Sequence, residues 1–131
     1  MTEKKETEIR ETERASTIFC DIDGTLLRHF GTSTDIAPMD NEAELLPGVI
    51  EKFNEWDLKG YNIILVTGRR KGLRKITEHQ LNRFGIIYDE LIMGIGGGKR
   101  YLINDTKPGN SEATCFGITV ERNKGIDNVD I

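Results

Sequence analysis

Thr17-Ile18-Phe19-Cys20-Asp21-Ile22-Asp23-Gly24-Thr25-Leu26 is an apolar run that stops abruptly in two carboxylates, a glycine and a threonine. Four to eight apolar residues bounded by polar turn formers fit a strand buried within a sheet. Side chains alternate along a strand, so Asp21 and Asp23, two apart, point the same way if the strand continues. Two like charges side by side repel, and something positive or a shared proton has to sit between them. Gly24 then permits a turn with positive φ.

Working outward, the chain is 131 residues long, enough for one core and too short for two. Residues 1–14 alternate Glu, Lys, Arg and Thr around Ile9 and bury too little apolar surface to offset their ordering, so they read as a disordered tail. A single domain is expected over 15–131. The polar, turn-rich stretch 28–46 reads as a long functional or mobile loop. Pro47-Gly48 opens a helix from Val49, with Val49, Phe53 and Trp56 on one face and Gly60 as its stop. Trp56 is expected in the core. Tyr61 to Val66 reads as a second buried strand, ending in Thr67-Gly68-Arg69-Arg70. Leu73, Ile76, Gln80 or Leu81, and Phe84 recur at helical spacing up to Gly85.

Three further strands are expected, at Glu90 to Met93, Tyr101 to Ile103 and Thr114 to Val120, before a polar tail. Strands alternating with helices predict an α/β fold, with a mostly parallel sheet and right-handed crossovers. Ligands bind such sheets at the carboxyl ends of the strands. Asp21 and Asp23, Thr67, and Asn104 and Asp105 all lie at such ends.

Asp-Ile-Asp-Gly-Thr-Leu resembles the signature of the haloacid-dehalogenase-like (HAD) phosphatases. The resemblance covers roughly residues 16–120, and only its first motif is strongly specific. It implies a three-layer Rossmann-like fold and magnesium-dependent hydrolysis of phosphate monoesters. By resemblance, Asp21 is the nucleophile that forms an aspartyl-phosphate, and Asp23 is the general acid and base. Thr67 matches the hydroxyl residue that holds the phosphoryl group, with Gly24, Thr25, Gly68 and Arg69 around the substrate. Asp21, Asp23 and Asp105 supply the oxygen ligands expected for Mg2+. Asn104 stands beside Asp105 as a water-mediated partner. Lys99 is the natural candidate for the family's lysine, and Lys107 the alternative. A phosphotransferase or mutase using the same nucleophile, or an inactive phosphate-binding protein, remains open on the same residues.

Arg69, Arg70, Lys71, Arg74 and Lys75 load the start of a helix with charge that opposes its dipole, which suggests an anionic ligand. Gly94 to Lys99 fails as a P-loop, because Met93 replaces the first glycine and Arg100 the Ser/Thr. A cysteine-based phosphatase fails too, since Cys20 lies inside the strand and Arg28 is too far along. A net charge of −4 argues against nucleic-acid binding as the main task. Cys20 and Cys115 lack metal-type spacing and read as buried free thiols in a reducing compartment. No apolar run approaches a membrane span, so the expected location is cytoplasmic. Neither 28–46 nor the stretch between Thr67 and Asp105 can bury a core of its own, so no cap domain is expected. A capless site calls for a bulky substrate or a homo-oligomer whose neighbour covers the cleft, with His29 and Phe30 near the entrance.

Overall fold

The computed structural model describes residues 14–31 and 42–131. The charged tail at 1–13 and most of the long loop, 32–41, lie outside the described residues. Strand β1 (Thr17–Asp21) sends Ile18 and Cys20 into the core while Thr17 and Phe19 face outward. It pairs in parallel with β2 (Asn62–Thr67), which pairs in parallel with β3 (Glu90–Met93). Their order across the sheet is β1-β2-β3. In register, Asp21 stands beside Val66 and Thr67 beside Met93, so both polar strand ends reach the same edge.

The connections are helices α1 (Val49–Leu58) and α2 (Arg74–Arg83), the second entered through a 3-10 turn at Lys71–Leu73. In α1, Val49, Phe53 and Trp56 form the expected buried stripe. The Phe53 and Trp56 rings stand 5.3 Å apart, and Trp56 is a core residue whose indole N–H finds no partner among the described residues. One cluster joins this stripe and Leu81 of α2 to Ile18, Cys20, Ile63, Leu65, Leu91 and Met93, the helix-facing side of the sheet. Phe19 and Ile92, on the opposite side, are exposed. No helix among the described residues is long and apolar enough to cross a membrane.

Two expectations are corrected. Among the described residues the sheet has three strands, and neither Tyr101 to Ile103 nor Thr114 to Val120 is one of them. Tyr101 is 85% exposed and Ile103 94%. The two runs meet through side chains instead of a backbone ladder. Asn104 Nδ2 donates to Thr114 Oγ1 at 3.0 Å, Thr114 Oγ1 donates to the Asp105 carbonyl, and the Cys115 thiol approaches the Leu102 carbonyl. An apolar run becomes a strand only when a partner edge takes up its N–H and C=O groups.

The polar tail, second, is partly core. Ile126 and Val129 are buried, and the Ile126 N–H donates to the Pro47 carbonyl at 3.0 Å. Gly48 (φ 80°) and Gly125 (φ 87°) make that docking feasible, since a Cβ on either would collide with the backbone of Asp127 or Pro47.

Candidate active site

The turn after β1 is built on one carbonyl. Ile22 C=O accepts from the N–H groups of Thr25, Leu26 and Leu27 at 3.1, 2.8 and 3.1 Å. Gly24 (φ 89°) donates back to the Leu27 carbonyl at 2.7 Å, in the left-handed conformation expected of it. Ile22, Leu26 and Leu27 are buried, which anchors the turn and leaves Asp21, Asp23 and Thr25 at its surface. The far side of the loop is tied by Arg28 N–H to Glu44 C=O and by Leu46 N–H to Leu26 C=O.

Asp21 is a third exposed. Its Oδ2 accepts from Thr25 Oγ1 at 3.2 Å, and its Oδ1 lies 3.9 Å from the Arg100 guanidinium. Burial raises its pKa above the ordinary carboxylate value and the charge on Asp23 adds to that, against the pull of Arg100 and Thr25. Cys20, one residue earlier, is a buried thiol pushed up to about 12 by burial and by Asp21.

Asp23 is held differently. Arg69 Nη2 and Nε donate to its two oxygens at 2.8 and 2.9 Å, a bidentate pair. The Arg69 guanidinium is 0% exposed, and Nη1 donates to Thr77 Oγ1 at 3.0 Å and to Gln80 Oε1 at 2.7 Å on α2. The Arg69 N–H donates in turn to Thr67 Oγ1 at 3.1 Å. This is the positive group that two neighbouring carboxylates require.

A cleft of about 160 Å³ opens over this turn, lined by Asp21, Asp23, Gly24, Thr25, Val120 and Arg122. The structure therefore gathers Asp21, Asp23, Gly24 and Thr25, and brings Thr67 and Gly68 to the same sheet edge. Arg69 is a correction to the expected substrate contact, because its donors are spent on Asp23, Thr77 and Gln80 and it is wholly buried. It is a positioning residue for Asp23.

The rest of the basic run is dispersed. Arg74 donates to the Leu91 carbonyl at 2.8 Å, and the Lys71 stem lies against Gly94. Lys99 is exposed on the glycine loop, and its neighbour Arg100 is the residue near Asp21. Asp105 is exposed beside Lys107, 3.5 Å from its Nζ, and among the described residues no three acidic, histidine or cysteine side chains gather as a metal group. Arg100, Arg122 and Asn123 reach the site with no motif in the sequence to mark them. Arg122 and Asn123 fall in the stretch read as a tail. The signal that could have flagged the Arg69 network is Gln80, an amide on the apolar stripe of α2.

No family model matches the sequence, and no curated protein does. Solved structures do match. The chain is similar to a chain of the Pnkp1/Rnl/Hen1 complex, with 30% identity and a TM-score of 0.54 over 66% of this chain and 30% of that one. A chain of the Pnkp1/Rnl/Hen1 RNA repair complex gives 28% identity and a TM-score of 0.53, over 74% of this chain and 28% of that one. D,D-heptose 1.7-bisphosphate phosphatase from B. bronchiseptica, complexed with magnesium and phosphate, gives 18% identity and a TM-score of 0.49, over 63% and 51%. The chain spans less than a third of the length of the first two.

Proposed function

We propose that this α/β domain, whose Asp-Ile-Asp-Gly-Thr-Leu turn resembles the HAD phosphatase signature, hydrolyses phosphate monoesters through an aspartyl-phosphate on Asp21. The observation that carries the proposal is the Asp21 carboxylate at a parallel strand end, opening on a small cleft beside an Asp23 fixed by a buried arginine. An Asp21 oxygen attacks phosphorus, the bond from phosphorus to the ester oxygen breaks, and Asp23 protonates that oxygen as it leaves. Asp23 then takes a proton from the water that attacks the acyl phosphate, which returns Asp21 as carboxylate and releases phosphate. Arg69 keeps the Asp23 carboxyl oriented through both steps, and the Thr67 hydroxyl is the donor assigned to the phosphoryl oxygens.

The donor set fits magnesium. Asp21 would offer a carboxylate oxygen and Asp23, whose carboxylate is taken by Arg69, its backbone carbonyl, and Mg2+ is commonly held by one or two carboxylates together with water and substrate phosphate. When bound, it supplies screening of the phosphoryl charge against the incoming carboxylate. Asp105 would be the third ligand in this proposal; in this structure it stands exposed beside Lys107 and does not line the cleft. Asp105→Ala should then raise the magnesium concentration needed for half-maximal activity by about tenfold or more, and Asn104→Ala much less, because a carboxylate offers a hard cation full charge and an amide only a dipole. Equal effects in the two magnesium titrations would remove Asp105 from the metal site.

Phosphorylated small molecules, sugars and sugar acids among them, are the proposed substrates. The likeness to a chain of an RNA repair complex adds a phosphate-ended oligonucleotide to the compounds to be tried. A panel of p-nitrophenyl phosphate, sugar phosphates, sugar-acid phosphates and such an oligonucleotide, with and without magnesium, decides the function. Magnesium-dependent phosphate release is expected. Transfer to an added alcohol would mark a phosphotransferase, and silence on every compound would leave a phosphate-binding protein. Light scattering on the same sample reports whether a second copy covers the cleft.

A further inference from the structure

Residues 121–123 return to the cleft from the far end of the chain, and they are held there. The Asn123 N–H donates to the Gly24 carbonyl at 2.9 Å, Asn123 Nδ2 donates to the His29 carbonyl at 2.9 Å, and Asn123 Oδ1 accepts the His29 N–H at 2.7 Å. Asn123 has φ 63°, the one non-glycine residue with positive φ among those described. Asparagine tolerates that conformation better than other side chains, and such departures persist where surrounding contacts over-determine them. Three hydrogen bonds to the turn after Asp23 do so here.

Asn123 sets Arg122 at the cleft wall. The Arg122 stem crosses Gly24, with Cγ 3.2 Å from where a Cβ would stand, so a side chain at position 24 would push the arginine away. Among the described residues no hydrogen bond or ion pair engages the Arg122 guanidinium, although it lines the same cleft as Asp21 and Asp23. Arg69 already neutralises Asp23, and Arg100 lies near Asp21. With Arg122, three guanidiniums face two carboxylates, which leaves room for an anion. The planar guanidinium suits the geometry of a phosphate, to which it can donate two parallel N–H bonds.

We propose that Arg122, set in place by Asn123, is a further residue that binds the phosphate group entering this cleft, beside the Thr67 hydroxyl. The assignment deepens the phosphatase proposal and rests on it for the identity of the natural anion, but its test does not need turnover. Inorganic phosphate is titrated calorimetrically into the full chain with and without magnesium, and into Arg122→Ala, Arg122→Lys and Asn123→Ala.

Arg122→Ala should weaken phosphate binding by about tenfold or more, the loss of a charge-assisted contact. Arg122→Lys should recover part of it. Asn123→Ala should weaken binding while keeping the arginine, because the clasp no longer aims it. Thermal melts exclude unfolding as the cause, and Arg122→Ala should melt close to the wild type because the residue is exposed and, among the described residues, its guanidinium has no hydrogen bond or ion pair to lose. Unchanged phosphate affinity in Arg122→Ala overturns the proposal, as does failure of the wild type to bind phosphate. Loss of binding in Arg122→Ala from a chain that hydrolyses nothing would keep the anion site and reject the phosphatase.

Discussion

Asp21→Asn should yield a folded protein that releases phosphate at least on the order of 10³-fold more slowly than the wild type. The substitution removes the attacking anion at nearly constant volume, and losing a nucleophile typically removes most of the catalysis. Asparagine can still accept the Thr25 hydroxyl that now donates to Asp21 Oδ2. The effect on stability has a definite sign. The folded Asp21 carboxyl sits above its ordinary value, chiefly through burial. The folded state therefore binds that proton more tightly than the unfolded chain does. The stability so gained is fully present below the ordinary carboxylate value near about pH 4, and is lost as pH rises through the raised one. At neutral pH without metal, wild-type Asp21 is thus a partly buried charge, and Asp21→Asn should melt at or above the wild-type temperature. That margin should shrink on acidification. Normal turnover in this variant would end the aspartyl-phosphate mechanism, and a lower melting temperature at pH 7 would contradict the account of its burial.

Arg69→Met should be the most destabilising single change in the site. It removes the guanidinium that now donates to Asp23, Thr77 Oγ1 and Gln80 Oε1 and leaves the Asp23 charge without its cation. Removing one partner of a buried pair costs about 3–5 kcal/mol, against a total stability of roughly 5–15 kcal/mol for a domain. Arg69→Lys keeps the charge but cannot reproduce a planar fork that serves Asp23 on one side and α2 on the other. Urea denaturation measures the loss. Adding Asp23→Leu to Arg69→Met should recover part of it, since both charges are then gone, while activity stays absent. A melting temperature within a degree or two of wild type for Arg69→Met would show that the network is not what holds Asp23.

The parts legible in sequence are those where local pattern and tertiary role coincide. Ile18 and Cys20 alternate into the core and the motif closes the strand, so β1, its turn and its two acids follow from neighbouring residues alone. Val49, Phe53 and Trp56 declare α1 for the same reason. Arg69 reads otherwise. Within Arg69-Arg70-Lys71 nothing local separates the guanidinium that turns inward from its neighbours, and the acceptors that draw it in lie 8 and 11 residues on. Asn123 is harder still, as its partners Gly24 and His29 are 94 or more positions away. Tyr101 to Ile103 shows the converse: β-prone composition is a demand for a partner edge, and composition does not supply one.

Cys20 has a practical consequence at the other end of the chain. Its thiol is covered by the core and pushed up to about 12, so it carries almost no thiolate at neutral pH and is shielded from reagents. Cys115 is the other cysteine of the sequence, half-buried on the stretch between Asp105 and Arg122. A maleimide dye should therefore attach at one address without any engineered mutation. Fluorescence from that dye would watch the Asp105 segment directly as magnesium and phosphate are added.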